Sequence, residues 1–393
     1  MRVLGACSLG GDGHLHPLLP FLRAAATRGD EVLVIGPPAM KASVAASGHR
    51  FRPGGEPAEE QVAAIREQLP VLPRGEAAVL GNRELFGRLA TEAMLPAMGQ
   101  VFADSRPELV VREPCEYASA VFAMATETPA VQVAISLAQI ESGALESARV
   151  ALEEHRSGLT DALASMPYLT RFPRSLDPSP FSTTIRFHLA AHGPSDPLPD
   201  WWQGSRTPLI YVTFGTVLGH MSHAPGVFRA ALRAVTELDA RVLVTTGRRV
   251  DPATLGSVPS HVHVEPWVDQ RRVMSEAAVV VCHGGSGTVF GALEAGVPLV
   301  TVPVFADQFE NGRRVAAAGA GRHVVVPVSG LATAGRRPIG EENAHLITDA
   351  IRTVMADGTY RRRAGDIATE MAQATRVEDV LGSLAPIAGP APG

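Results

Sequence analysis

Short apolar stretches alternate with helical stretches along most of this chain, and this alternation limits the fold more than any other feature. In the first half, strands are predicted over residues 3–8, 31–36, 109–112 and 130–135. In the second half, strands are predicted over residues 209–214, 241–245, 261–264, 277–282, 298–304 and 323–326. Short buried strands separated by helices are typical of parallel, doubly wound sheets. The sequence therefore predicts an α/β fold in which two Rossmann-like, doubly wound domains face each other across a cleft.

The stretch between the two predicted sheets is rich in Pro, Gly, Ser and Asp, a composition typical of an interdomain linker. We expect a first domain over residues 1–195, a linker over residues 196–208 and a second domain over residues 209–375. Residues 376–393 are expected to pack back on the first domain and to end in a frayed tail. Aromatic residues make up only 5% of the chain, which disfavours an aromatic-rich β-sandwich.

Charge, cysteine spacing and hydropathy exclude several classes of protein. The net charge is −5 and there is no basic stripe, so nucleic acid is not an expected partner. Cys7, Cys115 and Cys282 are too far apart in sequence to indicate a disulfide framework or a metal site. The first residues lack a signal-peptide pattern, and no apolar run reaches the ~18 residues that a membrane-spanning helix needs. We expect a cytoplasmic protein without a membrane span.

A glycine-rich turn over residues 282–288 lies between the predicted strand 277–282 and a predicted helix. Glycines at such a junction allow the backbone to approach a ligand closely, and the first turn of the helix directs free N–H groups at an anion. His283, Ser286 and Thr288 add side-chain donors. The turn is suited to a diphosphate, although such a turn can also serve only to pack a helix tightly on a sheet.

Three other strand ends in the second half carry residues suited to binding a nucleotide and a sugar. A Trp offers a flat face for a base, and neighbouring Asp and Gln side chains can hold vicinal hydroxyls. Each has a structural alternative, such as a Trp packed at a sheet edge or an Asp that caps a helix. The residues are Gly215 with Thr216, Trp267 with Val268, and Asp307 with Gln308. Their convergence with the glycine-rich turn favours a nucleotide-sugar site.

His14 follows the first predicted strand, at the sheet edge where ligands bind in open α/β folds. A His there can act as a base near neutral pH, although it can equally cap or pack a helix. A carboxylate that orients the imidazole and stabilises its charged form would strengthen the base. Glu113 follows the strand 109–112 and is the favoured partner, with Asp12 and Glu116 as alternatives. His16 is the weaker candidate because it should point elsewhere.

Two familiar phosphate-binding patterns are missing from the sequence. There is no Asp-x-Asp, so a carboxylate-bound Mg²⁺ is not indicated. There is no GxxxxGK[ST] either, which counts against a P-loop NTPase. We therefore expect neither a metal nor another cofactor.

Taken in order along the chain, these motifs resemble those of the two-domain (GT-B) nucleotide-sugar glycosyltransferases of family 1, especially the actinomycete enzymes that glycosylate antibiotics. The resemblance covers nearly the whole chain. The motifs that carry it lie at residues 13–17, 214–216, 267–268, 283–288, 295–298 and 303–308.

The resemblance implies a role for each matching residue. His14 would be the general base, with Glu113 at the position of a carboxylate that is often Asp in the family. Trp267 would stack on the nucleotide base, and the Val268 backbone would contact its edge. Asp307 and Gln308 would hold hydroxyls of the donor sugar. The diphosphate would be bound by His283, Gly285, Ser286, Gly287 and Thr288, next to Gly215 and Thr216. Transfer would invert the anomeric carbon without a metal.

One departure from the family pattern concerns the nucleotide. Plant relatives carry a Glu eight residues after the motif His, where it grips the ribose, but this chain has Gly291 there. Deoxyribose lacks the 2′-hydroxyl that such a Glu would hold, so we expect a dTDP-sugar as donor in preference to a UDP-sugar.

The acceptor is expected to be a small natural product, such as a polyketide-like aglycone, bound by the segments 52–75 and 142–165. A homodimer is compatible with the sequence. Two alternatives remain open: a non-catalytic helper with the same fold that activates another transferase, and a nucleotide-sugar epimerase.

Overall fold

The computed structural model describes residues 1–9, 11–189, 207–215, 224–247, 250–326 and 339–384. These residues form two separate parallel sheets, each flanked by helices. The predicted α/β class is confirmed. Residues 196–206 of the predicted linker and residues 385–393 of the predicted tail lie outside the described residues.

The first sheet is built mainly from the first half of the chain. Its strands are β1 Arg2–Ala6, β2 Glu31–Gly36, β3 Arg50–Pro53, β4 Leu109–Arg112, β5 Ala130–Val133, β6 Tyr168–Thr170 and β7 Thr184–His188. The second sheet contains β8 Leu209–Thr213, β9 Arg241–Thr245, β10 Val262–Glu265, β11 Ala277–Cys282, β12 Leu299–Thr301 and β13 Gly321–His323. A last short strand, β14 Thr375–Arg376, joins the first sheet beside β7.

The strand order reverses once in each sheet. The first sheet runs β3-β2-β1-β4-β5-β6-β7-β14, and the second runs β10-β9-β8-β11-β12-β13. The chain therefore turns back between β1 and β4, and again between β8 and β11. In doubly wound sheets a crevice opens at this reversal, outside the carboxyl ends of the strands.

Helices cover the faces of both sheets. Those of the first half are α1 Asp12–Leu15, α2 Leu19–Thr27, α3 Lys41–Ala46, α4 Glu59–Gln68, α5 Arg74–Leu80, the π-helix Gly81–Ala90, α6 Thr91–Ser105, α7 Ala118–Ala125, α8 Ala138–His155 and α9 Leu159–Ser165. Those of the second half are α10 Ala224–Val235, α11 Gln270–Glu276, α12 Ser286–Glu294, α13 Gln308–Ala317, α14 Ala344–Ala356, α15 Gly358–Ala372 and α16 Val377–Leu384. Short 3₁₀ turns lie at Pro38–Met40, Leu69–Val71, Pro252–Leu255 and Glu341–Asn343.

Each predicted strand overlaps an observed one, and those over residues 31–36, 109–112, 241–245 and 277–282 have the predicted bounds. The prediction over 323–326 is largely wrong, because β13 ends at His323, and the prediction over 298–304 is too long, because β12 spans only Leu299–Thr301. The sequence did not predict β3, β6, β7 or β14. In β3, Arg alternates with Phe and Pro at the edge of the sheet, which hides the apolar pattern of a strand. The strands β6 and β14 are three and two residues long, which is too short for an apolar pattern to be recognised in the sequence.

The C-terminal segment returns to the first sheet. Thr375 pairs with Phe187 in the ladder between β14 and β7. On α16, Val380, Leu381 and Leu384 are buried in the same hydrophobic cluster as residues of β1 and α2. The last helix among the described residues therefore helps to build the core of the first half.

The two halves contact each other on one side of the cleft. The Phe172 ring lies 4.1 Å from the Phe290 ring, centroid to centroid. Arg171 donates to Glu294 at 3.1 Å, and Arg314 donates to the Leu176 carbonyl at 3.2 Å. This segment of the first half thus fixes the position of α12 and α13, which begin at the cleft. Within the described ranges, no helix is long and apolar enough to cross a membrane.

Candidate active site

Four of the predicted site residues follow the strands at which the strand order reverses in each sheet. His14 follows β1 and Glu113 follows β4, the two strands at the reversal of the first sheet. Gly215 follows β8 and His283 follows β11, the equivalent strands of the second sheet. Both halves therefore bring their candidate residues to the part of the sheet where ligands bind in this architecture.

His14 and Glu113 form a pair at the end of the first sheet. Nδ1 of His14 lies 3.1 Å from Oε1 of Glu113, close enough for an ion pair. The Glu113 side chain is fully buried, whereas His14 remains 23% exposed. Because Nδ1 faces the carboxylate, Nε2 is the ring nitrogen left for a substrate.

The structure distinguishes Glu113 from the two alternative partners. Asp12 accepts a hydrogen bond from the Ser43 hydroxyl at 2.7 Å. Glu116 accepts from the Ser119 backbone N–H at 3.0 Å and lies 3.9 Å from Arg112. Both carboxylates are committed to other contacts, so Glu113 is the acid beside His14.

Backbone and hydroxyl donors hold the Glu113 carboxylate in place. The Ser8 N–H donates to it at 3.0 Å, the Ser8 hydroxyl donates as well, and the Cys115 N–H donates at 2.6 Å. Burial acts to raise the pKa of Glu113, but His14 and these donors hold that pKa below its ordinary value. Burial likewise acts to lower the pKa of His14, but Glu113, with a further contribution from Asp307, raises it above its ordinary value. The pair therefore favours the state in which His14 carries the proton.

Phe86 stacks on the His14 ring, with centroids 6.0 Å apart and an angle of 22° between the ring planes. It lies on the π-helix, where the Thr91 hydroxyl donates to the Phe86 carbonyl at 2.8 Å. A π-helix has a different residue spacing from an α-helix, so no apolar periodicity in the sequence could have placed Phe86 here. Sequence reasoning missed this residue.

The glycine-rich turn has the geometry expected of an anion site. Gly284 has a φ of +84°, which favours glycine, and a Cβ there would lie 2.8 Å from the Gln308 carbonyl oxygen. The Thr288 N–H donates to the Gly285 carbonyl at 3.1 Å. Gly285 is the N-cap of α12, and the N–H groups of Ser286 and Gly287 follow it at the start of this helix. The N–H groups at the start of a helix lack helical partners, which makes them donors for an anion.

Two glycines make room for the His283 ring. A Cβ at Gly215 would lie 2.9 Å from Cε1 of His283, and a Cβ at Gly285 would lie 2.3 Å from its Nε2. Burial lowers the pKa of His283 to about 4, although a hydrogen bond to the Thr213 backbone opposes this. His283 is therefore neutral at pH 7 and can act on a ligand as a hydrogen-bond donor rather than as a charge.

One oxygen of Asp307 accepts three hydrogen bonds. Oδ2 accepts from the Ser286 hydroxyl at 2.9 Å, from the Asn311 amide at 3.0 Å and from the Ser136 hydroxyl at 3.0 Å. Ser136 follows β5 of the first half, so this contact crosses between the halves. Burial raises the pKa of Asp307 despite these donors. The arrangement fixes the carboxylate and leaves Oδ1 as the oxygen that could meet a ligand.

Gln308 has a local structural role that the sequence did not predict. Its Oε1 accepts from the N–H groups of Val304 and Phe305 at 2.9 and 3.0 Å. The side chain is only 3% exposed. Its oxygen therefore stabilises the loop before α13, and only its NH₂ group is left for a sugar hydroxyl.

Trp267 and Val268 lie after a strand at the edge of the second sheet. Trp267 follows β10 and is 51% exposed, so part of its ring surface is open to a base. Val268 is partly buried against the core of the second half. Thr216 lies outside the described residues. Among the residues described, no group of three or more His, Cys, Asp or Glu side chains is arranged to hold a metal ion.

Both halves of the chain match one protein family. Residues 23–215 match the family described as the erythromycin biosynthesis protein CIII-like N-terminal domain, and residues 229–386 match the corresponding C-terminal domain. The elloramycin glycosyltransferase ElmGT of Streptomyces olivaceus is 32% identical over 376 residues, which cover 92% of this chain and 96% of that protein.

Two solved structures share the fold over almost the whole chain. The glycosyltransferase SsfS6 of Streptomyces sp. SF2575, complexed with thymidine diphosphate, superposes with a TM-score of 0.76 at 24% identity, covering 98% of this chain and 99% of that one. The spinosyn rhamnosyltransferase SpnG, complexed with spinosyn aglycone, superposes with a TM-score of 0.76 at 22% identity, covering 98% of this chain and 100% of that one. These likenesses confirm the predicted two-domain fold.

Proposed function

This chain belongs to the erythromycin biosynthesis protein CIII-like family of glycosyltransferases, and we propose that it moves a sugar from a dTDP-linked donor to a small apolar natural product. We further propose that the transfer inverts the anomeric carbon and requires no metal ion. One observation carries the proposal: the His14–Glu113 pair of the first half lies within electrostatic range of Asp307, beside the glycine-rich turn of the second half. The proposed base and the proposed anion site would thus act on the same substrates.

In the proposed reaction, Nε2 of His14 takes the proton of an acceptor hydroxyl as the hydroxyl oxygen attacks the anomeric carbon. The bond between that carbon and the diphosphate oxygen breaks, and its electron pair leaves with the diphosphate. Attack on the face opposite the leaving group inverts the anomeric carbon. Glu113 would stabilise the imidazolium, and the N–H groups of the turn with His283 would stabilise the departing charge.

Gly291 on α12 supports a preference for dTDP over UDP. Gly291 has no side chain that could bind a ribose, and a larger residue would clash, because a Cβ at this position would lie 2.8 Å from the Met274 sulfur on α11. Without such a group, the 2′-hydroxyl of UDP gains no partner. The thymidine diphosphate bound in the SsfS6 structure agrees with this preference.

The surroundings of His14 support an apolar acceptor. Phe86 stacks on its ring and also packs against a cluster of buried aliphatic side chains. The cluster consists of Val62, Ile65, Leu85 and Leu89, with Leu9, Leu69 and Leu80 packed against it. These residues come from the loop after β1, from α4, α5 and the π-helix, and from the 3₁₀ turn between α4 and α5. They form an apolar wall next to the proposed base.

Phe86→Ala is expected to raise the acceptor KM about tenfold, because an apolar acceptor loses an aromatic surface to pack against. Steady-state kinetics with the acceptor varied at saturating donor measures this. Phe86→Leu keeps an apolar surface of similar size and should show a smaller rise. An unchanged acceptor KM in Phe86→Ala would place the acceptor elsewhere.

Glu113→Gln is expected to lower kcat/KM about 10²-fold at neutral pH, since the imidazolium loses its charged partner. The proposed base acts in its neutral form, so kcat/KM should fall as the pH falls through the pKa of His14. Because Glu113 raises that pKa, its removal should shift this acid limb to lower pH. The pH profiles of the two proteins test the pairing. An acid limb at the same pH in both would contradict it.

The function is tested by incubating the protein with a panel of dTDP-sugars and hydroxylated polyketide-like aglycones in the presence of EDTA. We expect an aglycone whose mass has increased by one sugar, and NMR of its anomeric proton should show inversion. A product that forms only after Mg²⁺ is added would contradict the metal-free mechanism. Conversion of the donor without any acceptor would indicate an epimerase. Absence of both product and nucleotide binding would indicate a helper protein.

A further inference from the structure

Asn311 on α13 joins two parts of the proposed donor site. It is 1% exposed, and its amide nitrogen lies 2.9 Å from the Gly284 carbonyl oxygen, 3.1 Å from the Ser286 hydroxyl and 3.0 Å from Oδ2 of Asp307. Gly284 and Ser286 belong to the turn proposed to bind the diphosphate. Asp307 is the carboxylate proposed to bind the sugar. We propose that Asn311 is a positioning residue that couples these two subsites, an inference that rests on the proposed function.

Asn311 orients one peptide of the glycine-rich turn. A trans peptide bond holds its C=O and the following N–H in one plane, pointing in opposite directions. Asn311 draws the Gly284 carbonyl towards the buried side of the turn, so the Gly285 N–H is directed the opposite way. Gly284 has a φ of +84° and no side chain to restrict this peptide by itself. The amide of Asn311 therefore sets the direction of an N–H at the start of α12.

Asn311 also holds the carboxylate of Asp307 in place. Asn311 is four residues further along the chain, so the two side chains meet across one helical turn. Asn311 also contacts the Ser286 hydroxyl, which in turn donates to Asp307 at 2.9 Å. Asn311 and Ser286 both donate to Oδ2, which leaves Oδ1 as the oxygen for a sugar hydroxyl. Movement of Asn311 would therefore disturb the turn and the carboxylate together.

Asn311→Leu, which has a similar volume but no donor, tests this coupling. We expect dTDP to bind about tenfold more weakly, as for the loss of one or two neutral hydrogen bonds. We also expect turnover at saturating dTDP-sugar to fall at least about tenfold, because small errors in placing a substrate are costly. Calorimetry with dTDP and initial rates with the dTDP-sugar that the wild type uses supply the two measurements.

Val315→Ala is the matched control, since Val315 is buried on the same helix but packs into the core. Val315→Ala should lower the melting temperature. It should keep the dTDP affinity and the turnover within about twofold of wild type, because Val315 shares no hydrogen-bond partner with Asn311. Asp307→Asn should reduce turnover while dTDP binding stays close to wild type, because dTDP lacks the transferred sugar that would meet Asp307.

Each outcome decides the inference. A loss of dTDP affinity without a loss of turnover in Asn311→Leu, or the reverse, overturns the coupling. Losses no larger than those of Val315→Ala show that Asn311 serves only packing. If Asn311→Leu does not fold, Asn311→Ser, which retains one donor, must show both losses. A wild-type protein that binds no dTDP overturns the proposed function itself, whereas normal wild-type binding with an unaffected Asn311 variant overturns the coupling alone.

Discussion

His14→Ala is expected to lower sugar transfer about 10³-fold, because the acceptor hydroxyl loses the base that takes its proton. Binding of dTDP should be unchanged, since the proposed diphosphate site lies on the second half of the chain. The same substitution leaves the fully buried Glu113 without its partner, so the melting temperature should also fall. Transfer assays, calorimetry with dTDP and thermal unfolding give the three readouts.

Two matched variants separate the base from the fold. His14→Asn can still donate to Glu113, so it should recover much of the lost stability and remain as inactive as His14→Ala. His16→Ala removes an exposed imidazole two residues away and should transfer sugar at the wild-type rate. Retained turnover in His14→Asn would show that His14 is not the base.

Gly285→Ala is expected to weaken dTDP binding about 10³-fold, as for the loss of two or more charge-assisted hydrogen bonds. The added Cβ would lie 2.3 Å from Nε2 of His283, so either the imidazole or the turn must move. Either movement displaces donors that would face the diphosphate. Titration calorimetry measures the change in affinity.

The control for this change is Gly226→Ala on α10, where a Cβ would meet no atom within 4 Å. It adds the same methyl group to a helix of the same half and should bind dTDP as tightly as wild type. If Gly285→Ala also binds dTDP with wild-type affinity, the glycine-rich turn is not the diphosphate site.

The sequence predicted the fold and the family because both depend on local patterns. Strands such as β2 and β11 are continuous apolar runs, so they can be recognised in the sequence without knowing which elements pack against them. The α/β class and the resemblance to glycosyltransferases are confirmed. The catalytic and binding roles of the individual residues remain predictions. They were found because ligand-binding residues follow strands in this architecture.

Side-chain contacts between distant elements could not be predicted in the same way. Three carboxylates were candidates for the partner of His14, and only the fold shows that Asp12 is committed to Ser43 and Glu116 to Ser119. Phe86 stacks on His14 from a π-helix, whose residue spacing cannot be recognised from the pattern of apolar residues in the sequence. The contact of Asn311 with Asp307 could have been predicted, because residues four apart lie on the same face of a helix.

The most direct test of the central claim, a metal-free dTDP-sugar site in this cleft, is calorimetric titration of the purified protein with dTDP and with UDP in EDTA. We predict clear binding of dTDP and weaker binding of UDP, since Gly291 offers the ribose 2′-hydroxyl no partner. Binding of neither nucleotide, or of UDP as tightly as dTDP, would contradict the account.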